Sequence, residues 1–322
     1  MEHGDDHHHI FVYTGGEQVV PRDVTHVIVD KSVKIIRQRA FEGRDRLVSI
    51  EMHDEIETIE EEAFYACTSL RCSIKLPGVR VVGNRAFAHT DLTDVEFGDK
   101  LETIGYSAFN NCRSLRSVKM PTIRDIDTDA FQCCDQLTDV EMPDVERIGD
   151  DAFFNCTRLR RIAIPLRNDI FDGNNVFSDC DNLSTVNLGG GIHKTISSLH
   201  LESWRNEMNE EIDRINSDLE DNPVGDHKTR AIRQWIESVL ERLNHYKTEH
   251  KALVKEAMTL LELALWKAKL LDEKEEEDHF LGGKQASKKV KIDTEAVRKE
   301  LRITSGASDV IENVLPFLTL DE

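Results

Sequence analysis

Apolar positions over the first two thirds of the chain recur in a fixed order. The clearest copy runs from Leu137 to Arg158, LTDVEMPDVERIGDDAFFNCTR. It reads L-x-x-V-x-M-P, then I-G, then A-F-x-x-C, and the next leucine restarts the cycle. Ala-Phe pairs fall at Ala40-Phe41, Ala63-Phe64, Ala86-Phe87, Ala108-Phe109, Ala130-Phe131 and Ala152-Phe153, with Val176-Phe177 as a degenerate seventh. A branched aliphatic stands four residues before each alanine, from Ile36 to Ile148. A leucine follows each pair, from Leu47 to Leu183. The period of about 22 to 24 residues lies in the leucine-rich-repeat range.

The pattern dictates an architecture. L-x-x-V-x-M alternates as a strand does, so Val140 and Met142 share one face. One short strand cannot bury that face, but stacked copies make a parallel sheet over a continuous core. The expected fold is α+β: a leucine-rich-repeat β-solenoid over 24–190, one strand per repeat, followed by an all-α hairpin or bundle. Phenylalanine fills the core once per turn. Pro77, Pro121, Pro143 and Pro165 end their strands.

The string I-G-x-x-A-F-x-x-C-x-x-L-x-x-V-x-M-P resembles the BspA-like class of leucine-rich repeats. The third copy has Thr90 in place of the cysteine, and the seventh has Asp172 in place of the aliphatic, which marks a distorted end. The resemblance implies a binding scaffold, and many members of the class are surface adhesins. The helical tail, ending RITSGASDVIENVLPFL, resembles a group of diatom proteins; that likeness implies no activity.

Residues 1–9, MEHGDDHHH, read as a disordered tail. His7, His8 and His9 beside Asp5 and Asp6 suggest no fixed metal geometry. Residues 10–30 read as two short cap strands around Gly15-Gly16. From Leu199 the period becomes helical. Leu201, Trp204, Met208, Ile212, Ile215 and Leu219 mark one face of a first helix, and DNPVGD breaks it. A longer helix runs from Lys228 to Leu271 on a coiled-coil-like seam of alternating four- and three-residue steps, so that 199–271 form a hairpin. Residues 272–292 read as a charged linker containing the acidic run EKEEEDH, and 293–322 as a C-terminal helical segment.

The second half of the long helix is apolar on more than one face. A fold-back of Thr294 to Leu318 over it is the favoured cover, leaving a monomer. A homodimer through the same helix is the alternative.

Charge narrows the function. Net charge is −20: 22 basic against 34 acidic residues before position 198, and 19 against 27 after it, leaving −12 and −8. Neither part offers the basic footprint that a phosphate backbone requires, so nucleic acid is not an expected partner. No run reaches the ~18 apolar residues of a membrane span, and no signal peptide is visible. The expected location is cytoplasmic. Lys288, Lys289 and Lys291 make a weak nuclear-import pattern.

Five of the seven cysteines, Cys67, Cys112, Cys134, Cys156 and Cys180, share one repeat column, which predicts buried, reduced thiols. Asp125, Asp127 and Asp129 mimic a calcium loop, but the sixth and twelfth positions are Ala130 and Gln136. Gly189-Gly190-Gly191 lacks the tail of a phosphate loop. No HExxH, GxSxG or paired-cysteine signature occurs. No catalytic, cofactor-binding or metal-binding residue is assigned, and no cofactor is expected.

The expected function is a non-catalytic interaction module with an unknown protein partner; the alternative is a cell-surface recognition protein. The candidate face comprises two outward columns of the sheet: Ser49, Asp94, Asp139 and Arg161 in one, and Glu51, Lys75, Glu96, Lys119 and Glu141 in the other.

Overall fold

The computed structural model describes residues 10–189, 202–222 and 227–281. The chain divides into two compact units, Met1–Leu240 and Glu241–Glu322. The first holds a series of parallel rungs, each built from one copy of the repeat.

Every rung carries a longer strand on one side: β1 (Ile10–Tyr13), β2 (His26–Val29), β4 (Ser49–Glu51), β6 (Ser73–Leu76), β8 (Asp94–Phe97), β10 (Ser117–Lys119), β12 (Asp139–Glu141), β14 (Arg161–Ile164) and β15 (Thr185–Leu188). The expectation of one strand per repeat needs correcting. Two-residue strands form a second parallel ladder: β3 (Ile35–Ile36), β5 (Thr58–Ile59), β7 (Val81–Val82), β9 (Thr103–Ile104), β11 (Asp125–Ile126) and β13 (Arg147–Ile148). The branched aliphatic column sits there, each residue fully buried from Ile36 to Ile148. Two residues are too few to show an alternating pattern, so sequence periodicity cannot announce them.

The longer ladder is also not continuous. It splits into β1-β2-β4 and β6-β8-β10-β12-β14-β15. In the third copy Leu70 and the buried Ile74 are four residues apart, where Leu92 and Val95, like the other copies, are three apart. The additional residue puckers the strand entry as a bulge does, and the Cys72 thiol sits against the Ile50 backbone instead. The short ladder runs past this point unbroken.

The N-terminal strands are not joined by a tight turn at Gly15-Gly16. β1 pairs β2 in parallel, Ile10 with His26 through Tyr13 with Val29. They are two further rungs of the solenoid. Val20 and Val24, in the connection between them, are buried with the core.

The core is a column of aromatic rings. Phe41, Phe64, Phe87, Phe109, Phe131, Phe153 and Phe177 are all fully buried. Successive centroids lie 4.8 to 5.6 Å apart with planes within 16° of parallel. The rung spacing of about 4.8 Å sets that distance, so the rings stack with an offset. Tyr13 leans on Phe41 at one end, and Phe171 meets Phe177 edge-on at the other. Phe171, paired with Ile148, itself takes the aliphatic position, and Asp172, expected there, stands one place further on with its N–H donating to Ile148 O at 2.9 Å.

Each turn bends sharply beside its Ala-Phe pair. The residue before the alanine and the third after it are left-handed, as Asp151 and Asn155 are at φ 55°. The left-handed conformation costs an L residue about 1–2 kcal/mol. A bond to the next rung offsets it: Asn111 N–H donates to Gln132 O at 2.8 Å. Glycine is obligatory where rungs crowd. A Cβ on Gly149 would lie 2.4 Å from the Thr128 backbone nitrogen.

Two helices follow, α1 (Glu202–Asp221) and α2 (Lys228–Leu281). Within the first unit, α1 lies along β15, burying Met208, Ile215 and Leu219. The Trp235 indole donates to Glu211 O at 3.0 Å, so the first turns of α2 return along α1 as the expected hairpin. The second unit contains α2 from Glu241 onward. α2 runs ten residues past the expected Leu271 and takes in the acidic run read above as linker. Glutamate and lysine are strong helix formers, so charge density alone does not end a helix. Residues 1–9, 282–322, the basic motif at Lys288, Lys289 and Lys291, and the diatom-like tail lie outside the described residues.

Candidate functional site

The outer face of the six-stranded ladder is built by alternation: Val95, Val118 and Val140 point inward and are buried, while their neighbours point out. Register places Lys119 opposite Glu96 on one side and Glu141 on the other, and Lys75 opposite Glu96. Glu96 lies 3.4 Å from Lys75 and 3.3 Å from Lys119, and the two ammonium groups hold its carboxyl below the usual range. In the neighbouring column Arg161 reaches Asp139 at 2.9 Å and Glu141 at 3.7 Å. Ser117 donates to Asp94 at 3.0 Å.

Seven of the nine candidate residues therefore share one sheet. Ser49 and Glu51 do not: β4 lies on the other side of the break and pairs with β2, opposite His26 and Ile28. There the same outward columns turn apolar, with Ile10, Val12 and Ile28 exposed.

A second charged column escaped the sequence reading. Two residues before each branched aliphatic stand Lys34, Glu57, Arg80, Glu102, Arg124 and Glu146, alternating in sign without exception. Their backbones bond rung to rung, Glu57 N to Lys34 O at 2.8 Å and Glu146 N to Arg124 O at 2.7 Å. Lys34 meets Glu57 at 3.3 Å and Arg80 meets Glu102 at 2.5 Å. Arg80, Glu102, Arg124 and Glu146, with the post-proline turns, line an open trough of about 790 Å³, where Lys100, Asp144 and Arg167 add charge of both signs. The signal lay in the sequence at a fixed offset from the aliphatic column.

Glu62 is the most enclosed carboxylate of the solenoid surface. Arg39 at 2.6 Å and Arg85 at 3.4 Å clamp it. Above all the Arg39 hydrogen bond holds it below the usual range. Further along the same left-handed column the balance reverses. Burial, then the neighbouring Asp150, raises the Asp151 carboxyl, and burial raises Asp129. Asp125 and Asp127 are engaged by Arg147 at 2.6 and 3.7 Å, and Asp129 accepts from the Gln132 amide at 2.9 Å, so two of the calcium-like triplet belong to the surface ion-pair system. Among the described residues no group of three or more His, Cys, Asp or Glu is placed to hold a metal.

The thiols of the cysteine column are structural donors. Cys67, Cys112, Cys134, Cys156 and Cys180 each donate to the phenylalanine carbonyl of the preceding rung, at 3.0 to 3.3 Å. Burial pushes Cys67 up to about 12 and Cys112 up to about 11. These groups hold their protons and do not act as nucleophiles. All seven cysteines are free.

Parallel rungs closed by a core ladder of phenylalanine define a leucine-rich-repeat solenoid. The chain belongs to the BspA type leucine rich repeat family, whose model matches six copies over residues 22–82 and 80–204. Among solved structures it is similar to a leucine-rich repeat protein from Bacteroides ovatus, at 23% identity and a TM-score of 0.37, covering 52% of this chain and 56% of that one. It is also similar to the T. pallidum leucine rich repeat protein, at 22% identity and a TM-score of 0.38, covering 60% and 88%. A leucine rich cell surface protein from Faecalibacterium prausnitzii matches at 20% identity and a TM-score of 0.34, covering 57% and 62%. The chain thus spans little more than half the length of the Bacteroides protein. None of the curated proteins compared with the chain matches it. No helix among the described residues is long and apolar enough to cross a membrane.

Proposed function

We propose that the solenoid is a non-catalytic platform on which another protein docks, and that the outer face of β6–β15 is the docking surface. BspA-type repeats support a protein-interaction or surface-recognition scaffold. One observation carries the choice of face: its charges are fixed by one another, Glu96 between Lys75 and Lys119. A pattern already held in place costs little side-chain entropy on binding and selects a partner of matching charge order. The reading requires no cofactor.

The cysteine column favours a reducing compartment such as the cytoplasm, because only a thiol makes the bonds from Cys67, Cys112, Cys134, Cys156 and Cys180 to the phenylalanine carbonyls.

Proximity labelling in the native cell tests both points. The parent is compared with a variant carrying Lys75→Glu, Glu96→Lys, Lys119→Glu and Glu141→Lys, which reverses each charge and preserves the pairing of these four. Loss of a reproducible partner set with unchanged circular dichroism supports the face. Identical sets from the two chains refute it, and labelled sets of extracellular proteins refute the location.

A further inference from the structure

The part of α2 in the second unit exposes apolar side chains on two sides. At about 100° per residue Met258 and Leu265, the latter 63% exposed, form a stripe in line with Lys247 and Lys251, whereas Leu253, Leu260 and Leu263 lie on the opposite side of the helix. A patch of this kind marks a contact surface. On its N-terminal side stand Lys247, Lys251 and Lys255, with Glu249 and Glu256 turned to the opposite side of the helix; on its C-terminal side residues 272–278 read DEKEEED. Because α2 continues to Leu281, both blocks lie on one rod with the stripe between them.

We propose that the stripe is the contact of a homodimer in which two copies of α2 lie antiparallel, about a two-fold axis level with residues 261–262. Charge complementarity selects this occupant and this orientation. The axis brings Met258 level with Leu265 of the second copy. It also brings Lys251 level with Asp272 and Lys247 level with Glu276, so each basic block faces an acidic one at both ends. A parallel pair would set the two acidic runs against each other. The axis lies wholly within the second unit and uses no residue of the proposed docking face, so the dimer stands or falls independently of that proposal.

The test uses the full-length chain, unlabelled and ¹⁵N-labelled copies mixed, with sedimentation analysis and carbodiimide cross-linking. The expected result is twice the 36.8 kDa chain mass, with mixed-isotope cross-links joining Lys251 to Asp272 and Lys247 to Glu276. Lys247→Glu with Lys251→Glu should weaken association about tenfold, and adding Asp272→Lys with Glu276→Lys should restore it. That rescue separates pairing from a folding defect. A monomer up to about 100 µM overturns the proposal, as do same-isotope cross-links from the helix to residues 294–318, which would mark the chain's own tail as the cover. Mixed-isotope cross-links showing a parallel pair overturn it too.

Discussion

The Phe177 backbone N–H donates to the Thr229 hydroxyl at 3.0 Å. In every other rung that N–H donates to the carbonyl of the next alanine-column residue, from Phe41 to Ala63 at 2.8 Å through Phe153 to Val176 at 3.0 Å. Thr229 thus stands in for a rung that is not there. The helices repeat the substitution elsewhere. Asn216 accepts the Val186 N–H of the last strand at 2.9 Å, and Arg233 donates to Phe171 and Gly173 carbonyls. Lys228, buried, donates to the carbonyls of Cys180, Asp181 and Leu183 at 2.8 to 2.9 Å. The start of the helical tail is the C-terminal cap that a solenoid needs.

Thr229→Val should strip the Phe177 N–H of its acceptor while keeping shape. The expected cost is about 1–3 kcal/mol, that of a buried donor left unpaired. Urea unfolding of the full-length chain measures it, and Thr229→Ser should recover most of the loss. A Val variant as stable as the parent would show that water satisfies the donor.

Phe109→Ala removes a ring stacked on Phe87 and Phe131, each at 5.2 Å, with Phe97 edge-on to it. A loss of about 3–5 kcal/mol is expected. Amide exchange should rise most in the rungs on either side of β10, since each rung touches only its neighbours. A melting temperature within a degree or two of the parent contradicts this.

Thiol labelling should separate the cysteines into two groups. The five column thiols are buried and held protonated, whereas Cys72 and Cys133 are only partly buried. Native protein should therefore release no more than two reactive thiols on a timescale of minutes, and all seven after denaturation. Fast native labelling of Cys112 or Cys134 would refute the column's role.

Asp151→Asn should stabilise the fold at neutral pH by about 0.5–1 kcal/mol. Burial and Asp150 raise the Asp151 carboxyl above its ordinary value, so the ionised form is penalised when folded, and asparagine suits the left-handed φ of 55°. The sign follows from proton binding. The folded state binds more protons than the unfolded one between the ordinary value near 3.8 and the raised one, so parental stability falls as pH rises through that window. The electrostatic part of the gain should thus be largest at pH 7 and fade as pH falls through the raised value. Chemical denaturation at pH 7 and below pH 4 decides. A gain that is equal at both pH values would assign all of it to backbone conformation.

Much of the fold was legible because the repeat writes its core into fixed columns. The aromatic, aliphatic, leucine and cysteine columns each predicted a buried position, and Phe41 to Phe177 occupy theirs without exception. The candidate face was legible too, since Lys75, Glu96 and Lys119 alternate at the strand period. The short ladder was not, because a two-residue strand has no period of its own; the column from Lys34 to Glu146 was written at a fixed offset from the aliphatic column, but only the ladder shows that it forms a face. The separation of Ser49 and Glu51 from the rest of the face was hidden in one additional residue between Leu70 and Ile74.

The sequence by itself determined what one rung looks like and that rungs stack, for the physical reason that each copy's apolar face is satisfied only by its neighbour. Tertiary structure decided what happens where neighbours end. The last rung's open N–H and C=O groups are met by Thr229, Asn216 and Lys228, polar residues of helices whose apolar period says nothing about a β-rung. Those bonds join residues 30 to 52 positions apart, and such pairings follow from the geometry of the stack rather than from any local pattern.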